Sequence, residues 1–179
     1  MTSVTVTTTY LQMLDPGHLR PRRWTGGGWR VRQAPREIAI NRDFYRAAGR
    51  DWQWLDRLAW DDARWQAYVE QPGLETWIGY LGDDAIGYFE LDPRPKLGVE
   101  IAYFGLLPAY LGRGLGGVLL SEAIARAWQI QQRRVWVHTC TLDHPRALAN
   151  YLARGLEIYD RKTELQQIVP GSAMPDAVP

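Results

Sequence analysis

The sequence is poor in several features that would indicate particular classes of protein. Its single cysteine, Cys140, excludes an internal disulfide framework and a zinc site built from paired thiolates. The first fourteen residues lack both a basic cap and a continuous apolar run, and no later stretch approaches the ~20 apolar residues that span a bilayer. We therefore expect a soluble protein of the reducing cytoplasm, with no membrane partner.

An excess of charge of either sign is also absent. The 21 basic and 20 acidic residues leave a formal net charge of +1, so no strong field attracts nucleic acid, and we expect no nucleic-acid partner. What the chain does have is size and aromatic content. Its 179 residues are enough for one domain with a sizeable core, to which most of the nine tryptophans and nine tyrosines should contribute.

Periodicity and turn residues predict a single mixed α/β domain. Strands are expected over 5–14, 75–81, 85–91, 97–107, 133–141 and 156–168. Helices are expected over 37–49, 60–69, 114–131 and 144–155, with Asp61 as the N-cap of the second. The domain should cover 1–169, and the tail 170–179, rich in proline and small residues, is predicted to be disordered.

The densest chemical signal is the glycine cluster from Leu111 to Gly117, between a predicted strand and the longest predicted helix. The start of a helix has unpaired backbone N–H groups and about half a positive charge, and glycines let an anion approach closely. This layout suits a pyrophosphate. The alternative is a flexible turn whose glycines serve only helix packing.

Other phosphate-binding motifs fit this loop less well. A P-loop needs Lys and then Ser or Thr after its last glycine, whereas Val118 and Leu119 follow here. The spacing Gly112-x-Gly114-x-x-Gly117 satisfies the dinucleotide pattern, but the next predicted strand ends without the expected ribose-binding acid. A dinucleotide-dependent oxidoreductase, which would bind NAD, therefore stays a weaker alternative.

Residues 76–163 resemble the GCN5-related N-acetyltransferase superfamily. Its signature, Gln/Arg-x-x-Gly-x-Gly/Ala, is matched by Gly114 and Gly116, while Leu111 departs from it at the Gln/Arg position and Arg113 follows two residues later. A second family landmark is a helix reading Asn-x-x-Ala-x-x-Phe-Tyr-x-x-x-Gly-Phe. The corresponding positions here are His144, Ala147, Asn150, Tyr151, Gly155 and Leu156, of which alanine, tyrosine and glycine match.

The resemblance implies a central, mostly antiparallel sheet of six to seven strands with helices on both faces. It also implies an enzyme that transfers an acyl group, most simply acetyl from acetyl-CoA, to a primary amine of a small molecule by direct attack, without a metal. Two alternatives remain: a CoA-binding sensor or protein-interaction module without turnover, and an acetyltransferase acting on proteins or peptides. Homodimers are common among relatives, so a dimer is possible here.

Site residues carry over from the family by position. Glu100 matches the strand glutamate that serves as general base, and Tyr151 matches the tyrosine that gives a proton to the leaving thiolate. Strand alternation is expected to place Glu100 on one face with Ala102, Phe104 and Leu106. His138 and Cys140 are interpreted as satisfied core residues of a buried strand. The CoA-binding residues are expected to be Phe104, Leu106, Leu111, Gly112, Arg113, Gly114, Leu115, Gly116 and Gly117.

The family varies most in its N-terminal part, so 1–72 is expected to form the acceptor side and 73–169 the CoA-binding core. Aromatic residues there could cage a cationic or apolar acceptor, and arginines could clamp a carboxylate. The candidate acceptor-binding residues are Arg42, Tyr45, Trp52, Trp54 and Trp60.

Overall fold

The computed structural model describes residues 2–168, so the predicted disordered tail 170–179 lies outside the described residues. The strands are β1 (Thr2–Met13), β2 (Trp29–Gln33), β3 (Glu75–Leu81), β4 (Asp84–Arg94), β5 (Gly98–Leu106), β6 (Val135–Cys140) and β7 (Glu157–Ile168). The helices are α1 (Ile38–Gly49), α2 (Asp62–Val69), α3 (Leu115–Ile130) and α4 (Ala147–Ala153). Every predicted element is present within a few residues of its expected bounds.

Two local features differ from the prediction. Strand β2 was not predicted, because its short segment alternates with arginine and follows a glycine run; antiparallel pairing with β3 along its whole length makes it a strand. The sequence Asp92-Pro93-Arg94 lies between two predicted strands and outside both, but β4 continues through it, paired with the start of β5. Asp61 caps α2 as predicted, since its side chain accepts a hydrogen bond from the Arg64 N–H.

The sheet has seven strands in the order β2-β3-β4-β5-β6-β1-β7, and every described pairing is antiparallel except that of β5 with β6. Helix α3 packs on one face, where Leu119 and Ile124 join Phe89 and Leu91 in the main core. Helix α1 packs on the other face through Ala48, beside Tyr88. The predicted fold class, a mostly antiparallel sheet with helices on both faces, is confirmed.

The parallel contact between β5 and β6 is short. It joins only Val99 to Val135 and Glu100 to Trp136, after which the two strands diverge. A cleft of about 860 Å³ opens between them, lined along β5 by 101–106 and along β6 by Val137, His138 and Cys140. The splay therefore leaves one edge of β5 available to a ligand.

A β-bulge in β5 changes which of its side chains share a face. Leu91 pairs with Ile101 but Glu90 pairs with Tyr103, so Ala102 is the extra residue. Because side chains alternate with a period of two, one inserted residue moves those beyond it to the opposite face. Glu100 therefore shares a face with Tyr103, while Phe104 and Leu106 pack with the α3 core on the other face. The prediction that Glu100 lies on the face of Phe104 and Leu106 is wrong for this reason.

Candidate active site

The glycine cluster forms one end of the cleft. Gly114 is the N-cap of α3 in the left-handed conformation, with φ of +79°, so glycine is favoured there. No side chain of the described residues caps this helix start, which leaves its first N–H groups free for an anion. The cleft is lined here by Leu111, Gly112, Gly114, Gly116 and Gly117, all of them predicted CoA-binding residues.

Two arginines that the sequence analysis missed reach this end of the cleft. Arg22, from the loop between β1 and β2, approaches Gly114 so closely that a Cβ there would lie 2.9 Å from its Nη2. Its backbone N–H donates to Ser121 Oγ at 2.8 Å, which ties the loop to α3. Arg154 follows α4 and approaches Gly117. Both are far from the glycines in sequence, so no local pattern could have revealed them.

The Arg154 guanidinium has unused hydrogen-bonding capacity. Its Nε and Nη1 are buried and have no partner within residues 2–168. Burial lowers the pKa of Arg154, and the neighbouring Arg22 lowers it further, so an anion here would relieve both effects. Together with the free N–H groups of α3, these arginines fit a diphosphate.

Two predicted CoA-binding residues lie elsewhere. The Arg113 guanidinium packs over the Tyr110 ring at 5.2 Å and does not line the cleft. The Leu115 side chain is fully buried in the core, so this residue could contribute only its backbone. Phe104 and Leu106 do line the cleft, as expected of them.

Tyr151 is buried in the cleft wall, where its ring lies 6.3 Å from that of Phe104. Burial raises the pKa of its phenol well above the ordinary value, and the charge of Asp143 raises it further. The hydroxyl therefore stays protonated through the neutral and mildly alkaline range. A protonated phenol in this position can donate to an atom that develops negative charge.

Glu100 lies at the vertex where β5 and β6 separate, behind the cleft wall. Its side chain is 9% exposed, and its Oε2 is 3.6 Å from Arg94 Nη2. Its other oxygen, Oε1, is 3.5 Å from His138 Nδ1, at the long limit of a hydrogen bond. Glu100 itself does not line the cleft, whereas His138 does.

His138 is more accessible than the sequence suggested. Its side chain is 47% exposed, so the interpretation of His138 as a satisfied core residue is wrong. The divergence of β6 from β5 exposes it, and no local sequence pattern predicts a splay. Hydrogen bonding to Glu100 raises the pKa of His138, against the opposite effect of burial.

The acceptor-side candidates divide into two groups. Trp52 and Trp54 line the cleft. Tyr45 is fully buried, and Trp60 packs against Trp65 at 5.0 Å, so neither lines it. Arg42 pairs instead with Asp62 at 2.8 Å, which removes it from any carboxylate clamp.

Two carboxylates that the sequence analysis did not single out face the cleft near Trp54. Asp56 accepts hydrogen bonds from the Tyr45 hydroxyl at 2.8 Å and from the Tyr103 hydroxyl at 2.7 Å. Asp143 accepts from Trp54 Nε1 at 3.3 Å. Arginines thus gather at the glycine loop, and carboxylates gather around Trp54.

Residues 39–156 match the sequence model of a family described as the acetyltransferase (GNAT) family. The chain belongs to this family. A curated relative, a mycothiol acetyltransferase of Streptosporangium roseum, is 30% identical over 103 residues, which is 55% of this chain and 29% of the relative. The chain thus spans less than a third of the length of this family member.

Solved structures of other GNAT proteins share the fold. A GCN5-related N-acetyltransferase from Sphaerobacter thermophilus superposes with a TM-score of 0.67 at 15% identity, covering 90% of this chain and 50% of that one. A GCN5-related N-acetyltransferase from Kribbella flavida superposes with a TM-score of 0.64 at 16% identity, covering 91% of this chain and 59% of that one. At such identities the likeness shows the fold.

Within 2–168 no group of three or more His, Cys, Asp or Glu side chains is placed to hold a metal ion. No helix among these residues is long and apolar enough to cross a membrane. The absence of a metal requirement and the location in the cytoplasm stay predictions.

Proposed function

We propose that this GNAT protein transfers an acetyl group from acetyl-CoA to a primary amine of a small molecule. The observation that carries the proposal is the cationic mouth of the cleft: a helix that starts at glycines, beside an Arg154 guanidinium whose Nε and Nη1 have no partner among the described residues. The name of the S. roseum relative, an acetyltransferase, supports acetyl as the transferred group.

The donor would be held by main-chain and side-chain groups together. The N–H groups that open α3 would bind the diphosphate, and Arg22 and Arg154 would neutralise its charge. Leu111 stands at the family's Gln/Arg position and carries no charge, so Arg22 and Arg154 would supply it instead. Acetyl-CoA supplies an acyl group activated as a thioester, and the free edge of β5 would align it in the cleft.

The acceptor would enter near Trp54. Asp56 and Asp143 attract a positively charged group, and the faces of Trp52 and Trp54 add a cation–π contribution. An amine that arrives as an ammonium ion fits these groups. Arg42 and Arg57 are not free to clamp a carboxylate of the acceptor, because Arg42 pairs with Asp62 and Arg57 pairs with the buried Glu90.

Two side chains would carry the proton chemistry. Glu100, at the vertex of the splay, would help to remove a proton from the ammonium ion, since an amine with a pKa near 10.4 is almost fully protonated at neutral pH. Tyr151 would donate a proton to the sulfur as it leaves. The role of Tyr151 rests on its position and its protonated phenol, and the role of Glu100 rests on its position where β5 and β6 separate.

The test is consumption of acetyl-CoA by the purified protein with tyramine, putrescine and glycinamide, followed as free thiol. We expect release of thiol that depends on the amine, and a rise in melting temperature on addition of CoA. Stabilisation by CoA without turnover would favour the sensor alternative. Stabilisation by NAD but not by CoA would contradict the donor assignment. Acetylation of a peptide but of none of the amines would favour a protein acceptor.

A further inference from the structure

We infer that His138 is the group that takes the proton from the acceptor amine, and that Glu100 is a positioning residue that orients and polarises its imidazole. This inference rests on the proposed function, because it concerns the proton step of that transfer. It changes the role assigned to Glu100 from direct base to partner of a base.

Glu100 and His138 differ in their access to the cleft. Glu100 is nearly enclosed, lies 3.6 Å from Arg94, and does not line the cleft. His138 lines the cleft and is about half exposed. A proton on a bound amine could therefore reach His138 directly but would need a carrier to reach Glu100. The short parallel contact between β5 and β6 explains this difference in access. Its last pair joins Glu100 to Trp136, and His138 lies two residues after Trp136 on β6, where the strands have separated.

The Glu100 carboxylate also decides which ring nitrogen of His138 would act as the base. Nδ1 faces the Glu100 carboxylate at 3.5 Å, so the neutral imidazole would carry its hydrogen on Nδ1. Nε2 is then the nitrogen with a free lone pair. A Tyr10 ring from β1 lies 5.6 Å from the imidazole and supports it from the neighbouring strand.

Nearby charges also favour a proton on His138. The carboxylates of Glu100, Asp143 and Asp56 all favour its protonated form and raise its pKa, while burial opposes them. Arg94 lies 3.6 Å from Glu100 and weakens this effect, while its closer ion pair, at 2.7 Å, is with Asp92. Lys162 of β7 lies 5.2 Å from the centre of the Tyr10 ring. A base made stronger in this way is better matched to an alkylammonium ion.

The proton balance of the transfer is simple. The ammonium ion gives one proton to Nε2, and the freed lone pair forms the C–N bond as the C–S bond breaks. The nitrogen loses a second proton as the amide forms, and this loss balances the proton that Tyr151 gives to the sulfur. The third proton of the ammonium ion stays on the amide nitrogen. One proton in total is released, through His138, to solvent.

The kinetic test uses the fastest amine of the panel and measures kcat/KM from pH 6 to pH 10. His138→Gln should lower it by about 100-fold at pH 7 and by much less at pH 10, where the amine loses its proton unaided. Added imidazole should restore part of the activity of His138→Ala. His18→Gln, an exposed histidine outside the cleft, serves as the control and should keep the wild-type profile. A His138→Gln profile parallel to wild type, or His138→Ala without rescue, would overturn the inference.

A second measurement needs no acceptor. Titration of the histidine NMR resonances, with His138 assigned by their loss in His138→Gln, should show a higher pKa for His138 in the wild type than in Glu100→Gln. The same titration in both proteins would overturn the pairing whatever the activity. If His138 titrates as expected but no amine is acetylated, the proposed function fails and the catalytic role of His138 fails with it. If the wild-type protein acetylates an amine and His138→Gln keeps the wild-type pH profile of kcat/KM, this inference fails while the proposed function stands.

Discussion

Arg57 and Glu90 form a buried ion pair behind the part of the cleft that Asp56 and Tyr103 line, with 3.0 Å between Nη1 and Oε2. Glu90 is fully buried and Arg57 is 6% exposed. The guanidinium packs over the rings of Tyr68, at 3.9 Å, and Tyr103, at 4.1 Å. The Arg57 N–H also donates to the Tyr45 hydroxyl at 3.1 Å. This pair anchors the irregular segment between α1 and α2 that carries Trp52, Trp54 and Asp56 into the cleft.

Breaking this pair should destabilise the protein strongly. Arg57→Met leaves the Glu90 carboxylate buried without its ion partner, which should lower the free energy of unfolding by about 3–5 kcal/mol. Urea unfolding measures this change. Arg42→Met, which removes a surface pair with Asp62, is the matched control and should change the free energy of unfolding by less than about 1 kcal/mol. Similar values for the two variants would contradict the prediction.

Loss of the cleft arginines should weaken donor binding. Arg154→Met and Arg22→Met should each raise the Kd for CoA by roughly 10-fold or more, because each removes a charge-assisted contact with phosphate. Isothermal titration calorimetry at two salt concentrations checks this, and the variants should show less dependence on salt than wild type. Arg36→Met, an exposed arginine outside the cleft, should keep the wild-type affinity. Unchanged affinity in both cleft variants would refute the phosphate contact.

The left-handed backbone at Gly114 gives a separate prediction. Gly114→Ala should cost about 1–2 kcal/mol of backbone strain and should also reduce CoA affinity, since its Cβ would crowd Arg22 at the mouth of the cleft. Gly82→Ala is a matched control with φ of +63° and open space around its Cβ. It should cost a similar amount of stability and leave CoA affinity unchanged. Thermal unfolding with and without CoA separates the two effects, and equal CoA affinity in both variants would count against the prediction.

Tyr151→Phe should slow turnover while preserving the fold. The variant keeps the ring that packs near Phe104 and loses only the hydroxyl. We expect kcat to fall by at least about 10-fold, with the Kd for CoA changed by less than about 2-fold. Because burial raises the pKa of Tyr151 far above neutrality, no alkaline loss of activity from this group is expected in wild type below pH 10. An unchanged kcat would show that another group protonates the sulfur.

Asp56 should affect the acceptor and not the donor. Asp56→Asn removes the charge but keeps an oxygen that can accept from a tyrosine hydroxyl. The KM for putrescine should rise by about 10-fold, and the KM for acetyl-CoA should stay within about 2-fold. Asp62→Asn, outside the cleft, is the control. A rise in the KM for both substrates would indicate general damage to the cleft.

Local patterns were sufficient for most elements of the fold. Leu119 and Ile124 lie at helical spacing, and the turn residues separate the β3-β4-β5 meander, because such signals depend only on neighbours in the chain. The bulge at Ala102 could not be predicted in this way. It depends on how β4 and β5 pair, and it moved Phe104 off the face of Glu100.

The sequence by itself determined the glycine-opened helix and the position of Tyr151, because the chemistry of each depends on a few consecutive residues. The tertiary structure decided which distant groups meet them. Arg22 and Arg154 converge on the glycines, and His138 meets Glu100 across two splayed strands, through contacts between residues far apart in the chain. Strand pairing, splay and burial are properties of the whole sheet, so the charge and exposure of a side chain in the cleft follow only once the sheet is assembled.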